Sequence, residues 1–290
     1  MVKQVVCSDN LYSFGEFNLS DIREHPTILN IGCRQTGKTS IIKALINNLN
    51  YKKDNIIIFD RVKSYDQLVN KKNIHNEYKS EEVEKILKEQ KLQINKFNKG
   101  IISEEDTKIF IIFDDCLSSK SSFKDLALRE LLYFSKDYKI GFIMAMQFPF
   151  NIPPELRLKF DYVFLIGDTV TSHIKRHYDE YGSIFNNFYS FRCVYSELTK
   201  DYNCMIIDNR VILSDNIFDK VYYYKAPYLN EPNIKIDNVD DNLIYGTDLE
   251  PYLNEIENKT NDLSSNDDLD KTTLLKIVNI MEKIVNKLYS

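Results

Sequence analysis

Residues 27–50 read TILNIGCRQTGKTSIIKALINNLN: a short apolar run, a loop bounded by Gly32 and Gly37, then a stretch with helical apolar spacing. Strand, loop and helix in that order, with Gly32, Gly37, Lys38 and Thr39 at G-x-x-x-x-G-K-[ST] spacing, spell a phosphate-binding loop. The chemistry needs these residue types. Glycines let the backbone close around phosphate oxygens, while loop N–H groups and the helix N-terminus supply partial positive charge. Lys38 reaches the β- and γ-phosphates, and the Thr39 hydroxyl ligates Mg²⁺. Gly32, Cys33, Arg34, Gln35, Thr36, Gly37, Lys38, Thr39 and Ser40 are therefore the candidate nucleotide-binding residues.

Working outward, four further Ile/Val/Phe-rich runs lie at 55–59, 108–113, 140–146 and 161–166. They alternate with polar stretches that suit helices, notably 80–97 and 123–136. Near-continuous apolar runs separated by such segments are what buried parallel strands with crossover helices look like. The spacing predicts an α/β domain, a mostly parallel sheet with helices on both faces, over about residues 20–170. Residues 191–214 read as antiparallel strands added to that sheet, closing an ATPase domain over 1–225. Asn, Asp, Glu and Pro then dominate 226–270, which reads as a flexible acidic linker. In 271–290, Leu274, Ile277, Met281, Ile284 and Leu288 form the stripe of an amphipathic helix, packed on its own domain or docked on a partner.

The third run, KIFIIFDDCL at 108–117, ends on two acids. Downstream of a phosphate loop, a strand-terminal acid holds Mg²⁺, usually through water. Asp114 takes that role, and Asp115 orients or deprotonates the attacking water; a neighbouring cation offsets their repulsion. The next run, IGFIMAMQFP, ends on Gln147, either a γ-phosphate sensor or a turn residue ahead of Pro149. Arg157, before the last run, is either a finger for a neighbouring subunit's nucleotide or one half of a solvated surface pair. Arg61 and Arg129 are weaker candidates.

The chain has 290 residues, 43% of them hydrophobic, so a sizeable core is expected. A net charge of -5 argues against coating nucleic acid through bulk charge, though not against a local basic surface. The basic stretch Lys85, Lys88, Lys91, Lys96 and Lys99 reads as a solvated helix face. Five scattered cysteines without a C-x-x-C pair argue against a disulfide framework or structural zinc, and suit a reducing compartment. Cys33 and Cys116, inside the two nucleotide motifs, read as small filler. The N-terminal stretch lacks a signal-like apolar core, and no run approaches the ~18 residues of a membrane span, so the expectation is a soluble, intracellular protein.

Taken together, "HPTILNIG" with the phosphate loop, "IIFDDC", "MAMQFP", "IPPELRLKFDYVFL" and the late "LTKDYNCMIID" resemble the packaging ATPase of poxviruses, large nucleocytoplasmic DNA viruses and virophages. That family belongs to the FtsK–HerA superfamily of DNA motors, and the resemblance runs from Phe17 to Asp208. It implies a RecA-like fold with the Gln147 strand inserted between the strands of the phosphate loop and of Asp114. It implies ATP and Mg²⁺ as cofactors, a homo-oligomeric ring (hexamer or pentamer), and double-stranded DNA and capsid or portal components as partners. The host cytoplasm, in the viral factory, or the virion is the implied location. By motif match, Asp115, Gln147 and Arg157 are catalytic, and Thr39 and Asp114 hold the metal. Many superfamily motors carry Glu where Asp115 stands. A GTPase is disfavoured by the absence of D-x-x-G after the third run. A nucleoside-type kinase or a non-motor ATP-dependent switch or assembly factor remain the alternatives.

Overall fold

The computed structural model describes residues 2–227, apart from 8–9, 62–64, 66–67, 118–119 and 149–151. A hairpin of β1 (Val2–Cys7) and β2 (Asn10–Gly15) precedes β3 (Thr27–Ile31), α1 (Lys38–Asn48), β4 (Ile56–Asp60), β5 (Ile74–His75) and α2 (Ser80–Asn98). Then come α3 (Glu104–Thr107), β6 (Ile109–Asp114), α4 (Leu126–Phe134), β7 (Ile140–Met146), α5 (Pro154–Arg157) and β8 (Tyr162–Ile166). The last elements are α6 (Thr171–Tyr181), α7 (Phe188–Leu198), β9 (Asn203–Asp208) and β10 (Val221–Lys225). The expected linker and terminal helix fall outside the described residues, save for 226–227.

The main sheet runs β10-β9-β8-β3-β7-β6-β4-β5. Strands β8 to β5 are mutually parallel, and β9 and β10 add antiparallel at one edge. The strand carrying Gln147, β7, lies between β3 and β6, as the resemblance implied. Alternation sorts each strand between two cores. Leu29, Ile111, Phe113, Phe142, Met144 and Val163 face one way, toward α2, α4, α6 and α7. Ile28, Phe110, Ile112, Ile143 and Phe164 face the other, toward Ile41, Ile42 and Leu45 of α1. Burial on both faces is why these strands read as unbroken apolar runs.

Two expectations need correction. Residues 191–198 are helix, not strand: Phe191, Val194, Tyr195 and Leu198 bury one face at helical spacing, and the Asn187 side chain caps the first turn by accepting from Ser190 N. The second antiparallel strand is β10, because residues 211–214 form no strand and Leu213 is fully exposed. The cysteine pattern also misled. The hairpin packs on α7 and brings Cys7 to Cys193, whose Cα atoms are 6.1 Å apart, to form a disulfide across 186 residues of sequence.

Candidate nucleotide and metal site

The phosphate loop leaves β3 without breaking the sheet, since Gly32 N donates to Met146 O of β7 at 3.1 Å. A Cβ on Gly32 would lie 2.8 Å from both Ile166 Cβ and Thr36 Oγ1, so the loop passes too close to β8 for any side chain. Gly37 caps α1 at φ +105°, in the left-handed region that L side chains resist. The loop is held from within: Thr36 Oγ1 donates to Cys33 O at 2.8 Å. Lys38 is only 6% exposed, and its ammonium donates to Gly32 O (2.8 Å) and Cys33 O (2.9 Å). Below it, the buried Asn30 donates to Lys38 O, tying the first turn of α1 to β3. Arg34, Gln35 and Ser40 are exposed.

Asp114 ends β6 beside Asp60, its register partner at the end of β4, and both are buried. Its Oδ2 accepts from Thr39 Oγ1 at 3.4 Å and from the fully buried Tyr65 hydroxyl at 2.6 Å. Burial pushes the Asp114 carboxyl up to about 6; the Tyr65 bond opposes the rise, while Asp115 and Asp60 add to it. A buried acid crowded by two others, next to a threonine hydroxyl, is a hard-oxygen donor set that fits Mg²⁺. Thr39 and Asp114 are the residues that would hold it.

The adjacent acids do not face one another. Asp115 adopts a left-handed conformation, φ +47°, while its N–H still pairs with Ala145 O at 3.0 Å. The turn sends its carboxylate to the lysine: Oδ2 lies 3.4 Å from Lys38 Nζ and accepts from Gln147 Nε2 at 3.3 Å. One acid thus addresses the threonine and the other addresses the lysine and the glutamine. Lys38, Thr39, Asp114, Asp115 and Gln147 all stand at the carboxyl ends of three adjacent parallel strands, where ligands of open α/β sheets bind.

Arg157 is not brought into this group. It ends α5, its Nε donates to Ile152 O at 2.8 Å, and its charge acts on the half-buried Glu180 of α6. Arg129 pairs with Glu155 at 3.7 Å, and Arg61 is exposed just beyond β4. The lysines of α2 lie on its solvent side, two of them paired with Glu84 and Glu130, as expected of a solvated face. Sequence reading missed Asp60, which ends its apolar run as Asp114 does, and Tyr65 and Asp168, which no local pattern announces.

A sequence model of the family described as Poxvirus A32 protein matches residues 15–217, the stretch that holds the loop, both acids, Gln147 and Arg157. A protein of Acanthamoeba polyphaga mimivirus is 31% identical over 225 residues, covering 75% of this chain and 78% of its own length. One from Invertebrate iridescent virus 6 is 28% identical over 216 residues, 72% of this chain and 80% of that one. The fold is similar to that of the genome packaging NTPase from Sulfolobus turreted icosahedral virus 2 in complex with sulfate, with a TM-score of 0.50 at 15% identity over 71% of this chain and 98% of that one.

Proposed function

Because the chain belongs to the poxvirus A32 protein family, we propose that it is a Mg²⁺-dependent ATPase that drives double-stranded DNA into a viral capsid. The observation that carries this reading is the split of the acid pair, with Asp114 on Thr39 and Asp115 on Lys38 and Gln147. Bound Mg²⁺ would supply positive charge that offsets the charge developing on the phosphates. Thr39 and Asp114 hold the cation, and Lys38 exchanges its loop carbonyls for phosphate oxygens. Asp115 orients the attacking water and takes its proton, with Gln147 fixing the carboxylate and sensing the γ-phosphate. The Gln147 and Lys38 contacts compensate for an acid one methylene shorter than glutamate. Arg157 acts in trans, from one subunit of a ring onto the nucleotide of the next. The setting is the viral factory or virion, with DNA and the capsid or its portal as partners.

ATP turnover of the purified chain, with and without double-stranded DNA, tests this. Wild type should hydrolyse ATP faster on DNA, and Lys38→Ala and Asp115→Asn should each lose ~10²-fold or more in kcat. Wild-type turnover no higher than these variants would sink the reading. Turnover indifferent to DNA would leave an ATP-driven switch instead of a motor.

A further inference from the structure

At the phosphate loop, three metal-ligating side chains meet from two segments distant in sequence. Cys33 Sγ lies 3.2 Å from Asp168 Oδ2, and His173 Nδ1 lies 2.7 Å from the same oxygen. One donor atom from each falls within 4.8 Å of the others. The loop brings Cys33, the turn beyond β8 brings Asp168, and the first turns of α6 bring His173. The cluster is built rather than incidental. The Asp168 side chain is 6% exposed, and its Oδ1 is anchored by Val170 N at 2.8 Å. The His173 ring is set edge-to-face on Phe148, with centroids 4.7 Å apart. His173 also lines a cavity of about 370 Å³ together with Phe148, Lys175 and His177.

We propose that Cys33, Asp168 and His173 form a binding site for a transition-metal dication of the zinc class, with its fourth position open to water. Thiolate and imidazole select a borderline-soft ion, so this site and the all-oxygen Thr39–Asp114 pair sort different metals. Ligand distances of about 2.0–2.3 Å around a tetrahedral ion set donor separations of roughly 3.3–3.7 Å, so the hydrogen-bonded pairs need open by only about half an ångström. On binding, the Cys33 thiol gives its proton to solvent and its sulfur lone pair to the cation. The neutral imidazole carries its proton on Nε2 and ligates through Nδ1. Without the ion, thiol and imidazole both donate to Asp168, the imidazole through Nδ1–H. On binding, that proton leaves Nδ1 as Nε2 takes one from solvent, so the net release is the thiol proton alone. Burial, helped by Asp168, pushes the Cys33 thiol up, so the proton must leave when metal arrives. Because Lys38 and Thr36 both donate to Cys33 O, the ion would clamp the loop to α6.

The test is titration of the full nucleotide-free chain with Co²⁺ in excess Mg²⁺, followed by absorption. One equivalent should give a thiolate-to-cobalt charge-transfer band that Zn²⁺ abolishes, with about one proton released per ion. Cys33→Ser should lose the band, and His173→Asn, which leaves the loop intact, should bind Co²⁺ at least about tenfold more weakly. No band in wild type would overturn the proposal. So would a band that survives in Cys33→Ser, which would report Cys116 or Cys204, or an unchanged affinity in His173→Asn. None of these readouts involves ATP, so the site stands or falls apart from the motor.

Discussion

Tyr65 puts its whole side chain into the core to deliver one hydroxyl to Asp114, at 2.6 Å the shortest contact the carboxylate makes among the described residues. A hydrogen bond to the charged form of a buried acid favours ionisation and fixes which oxygen remains for a cation. Tyr65→Phe keeps the ring and the packing but removes that bond. We expect it to fold with little loss of stability and to need about tenfold or more extra Mg²⁺ for half-maximal ATP turnover. Magnesium titration of wild type and variant, with thermal melts alongside, checks this; an unchanged magnesium requirement would show the tyrosine to be packing alone. Tyr65 also shows where legibility ends. Lys38, Thr39, Asp114 and Gln147 could be picked out because motif spacing and strand ends are properties of sequence. Tyr65 and Asp168 depend on where a loop returns across the sheet, and no local pattern records that.

At the scale of elements, the parallel strands were readable because helices cover both sheet faces and leave no polar register in the runs. The run at 27–31 matches β3 and that at 140–146 matches β7. The opposite happened in α7, where Phe188, Tyr189, Phe191 and Tyr195 carry strand propensity on a helical period. Burial decided, and the period should have outweighed the residue types. The hairpin β1–β2 escaped notice because its value lies in packing against α7, almost the length of the domain away in sequence. Asn187 is the local device that starts α7, its side chain accepting from Ser190 N at 2.9 Å. Asn187→Ala should therefore cost about 1 kcal/mol. In a domain of this size that lowers Tm by about 2–4 °C. Asn187→Ser, which keeps an acceptor, should recover most of the loss in the same thermal scan.

For the molecule as a whole, one buried group that couples stability to pH is His177. It is 3% exposed on α6, and its Nδ1 has no hydrogen-bond partner among the described residues. Burial lowers its pKa from 6.5 to about 4; Asp168 opposes that fall, and His173 and Arg176 add to it. The folded chain therefore holds this imidazole neutral where the unfolded chain protonates it. The contribution is complete above pH 6.5 and is lost as pH falls toward 4, since the unfolded state binds the extra proton. From pH 7 to pH 5 the loss is about 2 kcal/mol, which corresponds to roughly 4–8 °C in Tm. His177→Gln has no such proton to bind, so its Tm difference between the two pH values should shrink by that amount. Melting both proteins at pH 7 and pH 5 decides it, and equal differences would mean that acid acts on the fold through other groups. The position of His177 gives the measurement a wider use. It lies one helical turn beyond His173, so acid that opens this end of α6 would also loosen the segment that packs against the phosphate loop. Nucleotide binding should then weaken over the same pH interval more in wild type than in His177→Gln, and the loss that remains in the variant belongs to Asp114, whose carboxyl is pushed up to about 6.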